Sequence, residues 1–195
     1  MSFPFLKKAL MAFLLVTMLA CKALTPTSKP NAADIEREEQ AVYSFFVNSA
    51  DGPAVLLQDT ATDISNDDPK QTLEYVKSGL PSVSKETLNN YLDRNKTPSQ
   101  LSPDMQLSVE YVLLSAEEQQ TIFNESNGWD TFYEKYPGSG GYTVLSRVGF
   151  NKTLDQALIY VANVGGPLMG AGYYYLLEKK DGEWHIIEQV MVWIS

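Results

Sequence analysis

The chain has 195 residues, 44% of them hydrophobic and 20% charged, with 12 Gly and 10 Pro. This is the make-up of an ordinary globular protein of about one domain, and it excludes disorder, collagen-like repeats and coiled coil. A formal charge of −9, with no basic cluster beyond the N-terminus, argues against holding nucleic acid by its phosphates; one Cys and one His exclude a disulfide framework or a zinc site built mainly from those residues.

Residues 1–8 carry Lys7 and Lys8 and no acid, and Ala9–Ala20 are 12 almost wholly apolar residues. As a helix that run covers about 18 Å, well short of the roughly 30 Å hydrocarbon core of a bilayer. The length suits the h-region of a secretory signal and not a membrane span. Met18-Leu19-Ala20-Cys21, which holds the only cysteine, resembles the lipobox of bacterial lipoproteins. That resemblance implies that residues 1–20 are a signal peptide cut before Cys21. It also implies that the Cys21 thiol takes diacylglycerol and its new α-amino group is acylated, with palmitate for example. More than one buried chain makes a stable anchor. Loss of residues 1–20 leaves 13 basic against 24 acidic residues, a net −11, so the tie to the membrane is the lipid and not the headgroups. The expected location is the cell envelope, on the periplasmic or outer surface. Residues 21–33, with Pro26 and Pro30, read as a flexible tether, and residues 34–195 as one α+β domain.

Asp34 is the expected cap of a helix whose apolar face carries Ile35, Val42, Phe45 and Phe46, with Glu36, Arg37, Glu38, Glu39 and Gln40 mostly off it. Gly52-Pro53 ends that helix, and Ala54–Asp59 reads as a short buried strand. Asp68-Pro69-Lys70-Gln71 starts a second helix, which Gly79 stops, and Ser84 caps a third with Leu88, Tyr91 and Leu92. Met105–Leu113 alternates at period two, which predicts a strand. Ser115-Ala116-Glu117-Glu118 is a capping box, and Gly128–Tyr133 begins one more short helix.

Four runs then follow that are rich in Val, Ile, Tyr and Trp: Tyr142–Phe150, Leu154–Val164, Gly172–Lys179 and Trp184–Ile194. Asp181-Gly182 is a strong hairpin signal, and Gly165–Gly170 reads as a flexible loop. The expected fold is an antiparallel sheet, a C-terminal four-strand meander plus the two earlier strands, covered by helices. Ser146–Asn151, Gln156–Val161 and Gly172–Leu177 together resemble a recurrent pattern of secreted bacterial proteins that implies no particular activity. The order of elements is similar to cystatin-like and nuclear-transport-factor-like folds, an analogy of order only.

No catalytic set stands out. His185 has no nucleophile at a recognisable spacing: Ser146 sits mid-strand and lacks a Gly-x-Ser-x-Gly elbow, and nothing in the spacing supports Asp155 as orienter. Gly138-Ser139-Gly140-Gly141 follows no strand and precedes no Lys-Ser/Thr helix start, so it is a turn and not a phosphate cradle. Asp59, Asp63, Asp67 and Asp68 lack calcium-loop spacing, and two of them read as turn and helix caps. Three Asn-x-Ser/Thr sequons, at Asn95, Asn124 and Asn151, are read as coincidence. No metal and no cofactor is expected.

Aromatic residues are the most local signal. Tyr142, Tyr160, Tyr173, Tyr174, Tyr175, Trp184 and Trp193 fall within 52 residues of expected sheet, and Tyr173-Tyr174-Tyr175 must place rings on both faces. Tyr173, Tyr174, Tyr175 and Trp184 are therefore the candidate contact residues for a partner, with core packing as the plain alternative. The favoured reading is a non-catalytic, lipid-anchored envelope module that binds a protein or small ligand. The alternatives are an envelope hydrolase using carboxylates, and an inhibitor, immunity-type or structural accessory lipoprotein.

Overall fold

Asn31 and Asp34 start the first helix, α1 (Ala32–Val47), by capping each other: the Asn31 side chain accepts from the Asp34 amide, and the Asp34 carboxylate accepts from the Asn31 amide, each at 3.1 Å. The helix thus begins two residues inside the stretch that reads as tether. The structure is a computed structural model, and it describes residues 29–49, 52–62, 69–124 and 126–195. The lipobox with Cys21, and Asp63, Asp67 and Asp68, lie outside the described residues.

Strand β1 (Ala54–Leu57) is followed by α2 (Pro69–Gly79) and α3 (Lys85–Arg94), then β2 (Tyr111–Leu114), α4 (Ala116–Phe123) and α5 (Gly128–Lys135). The C-terminal part is β3 (Tyr142–Leu145), β4 (Gly149–Phe150), β5 (Gln156–Gly166), β6 (Met169–Lys180) and β7 (Glu183–Ile194). Ser84 and Ser115 cap α3 and α4 by accepting from the Thr87 and Glu118 amides. Glu118 does not return the second bond of the expected box. Its carboxylate takes the Tyr136 hydroxyl at 2.7 Å and pairs with Lys135 instead.

The fold is α+β, with one seven-stranded sheet in the order β2-β1-β3-β5-β6-β7 and β4 paired to β5. The sheet is mixed, not antiparallel: β1 runs parallel to both β2 and β3, and the other pairs are antiparallel. The cause is connectivity. The chain between β1 and β2 passes through α2 and α3, and the chain from β2 to β3 passes through α4 and α5. Crossovers of that length return a strand in its starting direction, whereas the short joints after β4, β5 and β6 reverse it.

Three further expectations are corrected. Met105–Leu113 is a strand only from Tyr111 on, because the Leu107 amide turns back to the Met105 carbonyl and breaks the ladder. Leu101, Met105 and Leu107 still press into the core, which is why the segment alternates like a strand. Tyr142–Phe150 is two strands, since Ser146-Arg147-Val148 leaves the ladder between β3 and β4. Gly165–Gly170 is a hairpin and not a loose loop: Gly166 pairs with Met169, which leaves Pro167-Leu168 at the tip.

The Asp181-Gly182 joint has φ of 52° and 92° and pairs Lys180 with Glu183, the geometry of a two-residue type I′ hairpin. Both sheet faces are covered over much of their area. On one side α1 and the Leu101–Leu107 stretch cover Leu56, Leu145, Ile159 and Leu177; on the other α2 and α3 cover Leu158, Tyr160, Tyr174 and Leu176, and α4 and α5 cover Val55 and Leu114.

Gly149 lets α3 sit against β4: a Cβ there would stand 2.4 Å from both Cα and Cβ of Tyr91. Gly149→Ala is expected to lower the free energy of unfolding by about 2 kcal/mol in urea titrations. Gly140→Ala, whose methyl group would meet nothing within 4 Å, is expected to change it by less than about 0.5 kcal/mol.

Candidate functional site

Strand parity separates the three consecutive tyrosines. Tyr174 points towards α2 and α3, where it is buried edge-on to Tyr91 at 5.7 Å and its hydroxyl donates to the Thr62 carbonyl at 2.9 Å. Tyr173 and Tyr175 lie on the opposite face, half-buried, with ring centroids 5.7 Å apart. Phe46, near the C-terminal end of α1, packs on Tyr175 at 4.8 Å. Trp184 is a core residue, and its Nε1 donates to Glu38 at 3.1 Å. Of the four candidate contact residues, Tyr173 and Tyr175 remain at the surface.

The histidine reading gains nothing from the geometry. Ser146 is buried just past the end of β3, against β5: its Oγ accepts from the Tyr160 amide at 2.9 Å and donates to the Arg147 carbonyl at 3.0 Å. Asp155 is bonded to Asn151, and His185 is exposed, opposite Glu178 on the β6–β7 ladder.

Around Tyr175 the sheet is open. Helix α1 ends there, and a cleft of about 390 Å³ lies between Phe46, the Gly140-Gly141 turn, Thr143, Val161, Asn163 and Tyr175. The Thr143 hydroxyl donates to Asn163 Oδ1 at 2.8 Å on its floor. Register carries the surface further: Tyr173 stands opposite Met191, and Ala171 opposite Ile194, on this same side. Met191 is 41% exposed and Ile194 69%. A pocket with a few polar groups and an apolar rim is the usual build of a recognition surface.

A second arrangement was not foreseen. Glu38 and Glu39, expected on the solvated side of α1, are both buried. Glu38 accepts from Lys179 Nζ at 2.6 Å as well as from Trp184. Glu39 is more heavily bonded. Arg147 reaches it twice, through Nε and Nη2 at 2.8 Å each, Arg94 Nη2 donates at 2.8 Å, and the Val148 amide donates at 2.9 Å. The Tyr43 hydroxyl stands 3.2 Å from Glu39 and 3.0 Å from the Ser146 carbonyl. Asn95 clamps the Arg147 backbone at both its amide and its carbonyl.

Spacing was the overlooked signal. Glu39 sits four residues after Ile35, three before Val42 and four before Tyr43, which is the buried stripe of the helix. Counting it as a solvated charge hides that position. Burial alone pushes the Glu39 carboxyl up, but the Arg147 hydrogen bond and the charges of Arg94 and Arg147 outweigh this and hold it below its ordinary 4.5. Burial, then the Glu39 charge, pushes the Tyr43 hydroxyl well above its own ordinary value. The cluster floors a cleft of about 380 Å³ beside the first half of α1, walled by Ile35, Leu101 and Met105.

A depressed folded-state value means that Glu39 stabilises the fold above about pH 4.5 and that this contribution is lost as the pH falls below it. Glu39→Gln is expected to cost on the order of 3 kcal/mol at neutral pH, because two guanidinium groups lose their buried counter-charge. Its stability, followed by thermal melts from pH 6 to pH 3, is expected to fall less steeply than that of the wild type.

No family model matches this chain, and neither does any curated protein or solved structure; its function has to be read from the chemistry just described.

Proposed function

We propose that the protein is a non-catalytic binding module, lipid-anchored to the cell envelope through Cys21, that engages a partner protein across the sheet face beside the C-terminal end of α1. One observation carries the reading: Tyr173 and Tyr175 share a face that α1 covers only in part, and Tyr175 walls a cleft there. Rings that are amphipathic and already packed on one side offer contact area at little entropic cost. The apolar surface continues beyond the cleft to Met191 and Ile194. That is more than a small ligand would cover, and it favours an apolar polypeptide segment. The Met18-Leu19-Ala20-Cys21 motif supports the anchor.

Three outcomes follow. Cys21→Ser is expected to move the protein from the membrane fraction to the soluble one, and sedimentation of the variant with membranes in high salt would place the anchor elsewhere. A partner recovered with the wild-type protein from its own envelope is expected to bind Tyr175→Ala about thirtyfold more weakly, at a matched melting temperature. His185→Gln is expected to keep it. Loss of binding in a well-folded His185→Gln protein, with the tyrosine variants unaffected, would overturn the reading.

A further inference from the structure

The cleft beside the first half of α1 has an unbalanced floor. Arg94 and Arg147 bring two positive charges to the single carboxylate of Glu39. Glu36, the other acid that lines the cleft, is exposed at its rim, where water screens it. Each nitrogen of Arg147 has a partner: Nε and Nη2 hold Glu39, and Nη1 donates to Ser99 Oγ at 3.2 Å. Arg94 differs. It holds Glu39 through Nη2, while its buried Nε has no hydrogen-bond partner among the described residues.

A buried donor left bare opposes folding, so a guanidinium serving only Glu39 would gain by presenting its paired donors to it. Arg94 does not adopt that geometry. Its side chain keeps 16% exposure and lines the cleft, so its guanidinium is within reach of a group lying there. The walls define what else such a group must carry. Ile35, Leu101 and Met105 are apolar, while Gln40, Ser99 and Gln100 supply polar edges. A volume of about 380 Å³ is within the usual range for small-molecule sites.

We propose that this cleft binds a carboxylate carried on a compact apolar body, with Arg94 as the residue that meets the carboxylate, Arg147 as the fixed charge behind it, and Ile35, Leu101 and Met105 around the body. The site is separate from the Tyr175 cleft, and the proposal stands or falls independently of the partner reading. The same chemistry is offered by the C-terminus of a polypeptide ending in an aliphatic residue and by a free branched-chain acid, and the probes can tell them apart.

The full domain is titrated with N-acetyl-leucine, 4-methylpentanoate and N-acetyl-leucinamide, following the Arg94 and Arg147 Nε–H and Leu101 amide signals by NMR up to about 20 mM, where even a millimolar site is nearly saturated. Saturable shifts are expected with at least one acid and not with the amide. A response to N-acetyl-leucine alone points to a polypeptide C-terminus, and a response to 4-methylpentanoate alone to a free acid. Arg94→Gln leaves Glu39 its two bonds from Arg147 and the one from the Val148 amide and is expected to fold with a lowered melting temperature; measured well below the melting temperature of both proteins, it should weaken acid binding at least tenfold. Glu39→Gln, where it folds, is expected to bind the acid more tightly, which a purely structural ion cluster would not do. No shift with either acid, equal binding of the amide, or full binding by Arg94→Gln would overturn the proposal.

Discussion

The carboxylate of Glu39 meets groups from three parts of the chain, one of them its own helix. Arg94 comes from the last turn of α3, Arg147 and the Val148 amide from the break between β3 and β4, and Tyr43 from the next turn of α1 itself. A buried charge must be compensated fully or it opposes folding, so the position of each partner is dictated by the others. The break in the ladder exists because Ser146 substitutes its hydroxyl for a backbone acceptor to Tyr160, which turns Arg147 out of the sheet plane and towards α1. Asn95, just past the end of α3, then fixes the Arg147 backbone. What looks like a defect in one strand is the joint on which a helix and a sheet face are hung.

Helix α1 also divides the face it covers. Its first half closes over a charged floor, its last turn stops at Phe46 and Tyr175, and each flank has a concavity of comparable size. The two differ in chemistry. One is built on guanidinium and carboxylate groups, the other on rings and a single Thr143–Asn163 hydrogen bond. Electrostatics at the first are strengthened by burial, whereas recognition at the second depends on area removed from water.

Local rules were readable where local chemistry decides the outcome. Asp181-Gly182 needs two positive φ angles and has the residues that tolerate them, and the parity of Tyr173, Tyr174 and Tyr175 follows from the pleat alone. Strand direction at β1 was not readable, because it is set by what the intervening helices span and not by any pattern in Ala54–Leu57. The Met105–Leu113 alternation misled because an unpaired extended segment pressed on a core looks the same as a paired one. Glu39 was hidden by its charge, although its place in the helical stripe and the presence of Arg94 and Arg147 were both in view. A single sequence does not show that residues 55 and 108 positions away converge on it.

The Glu38 contacts have a consequence for how the chain acquires its shape. Lys179 and Trp184 lie 141 and 146 residues downstream of it. At a synthesis rate of roughly 5–20 residues per second, α1 waits on the order of 7–30 s after its own completion before those partners exist. Until then Glu38, unlike Glu39, lacks the distant groups that meet its carboxylate, and docking the helix on a half-made sheet would bury a charge before its lysine exists. The domain is therefore closed by its two ends meeting last, a high-contact-order arrangement that holds the nascent chain open while it is being made.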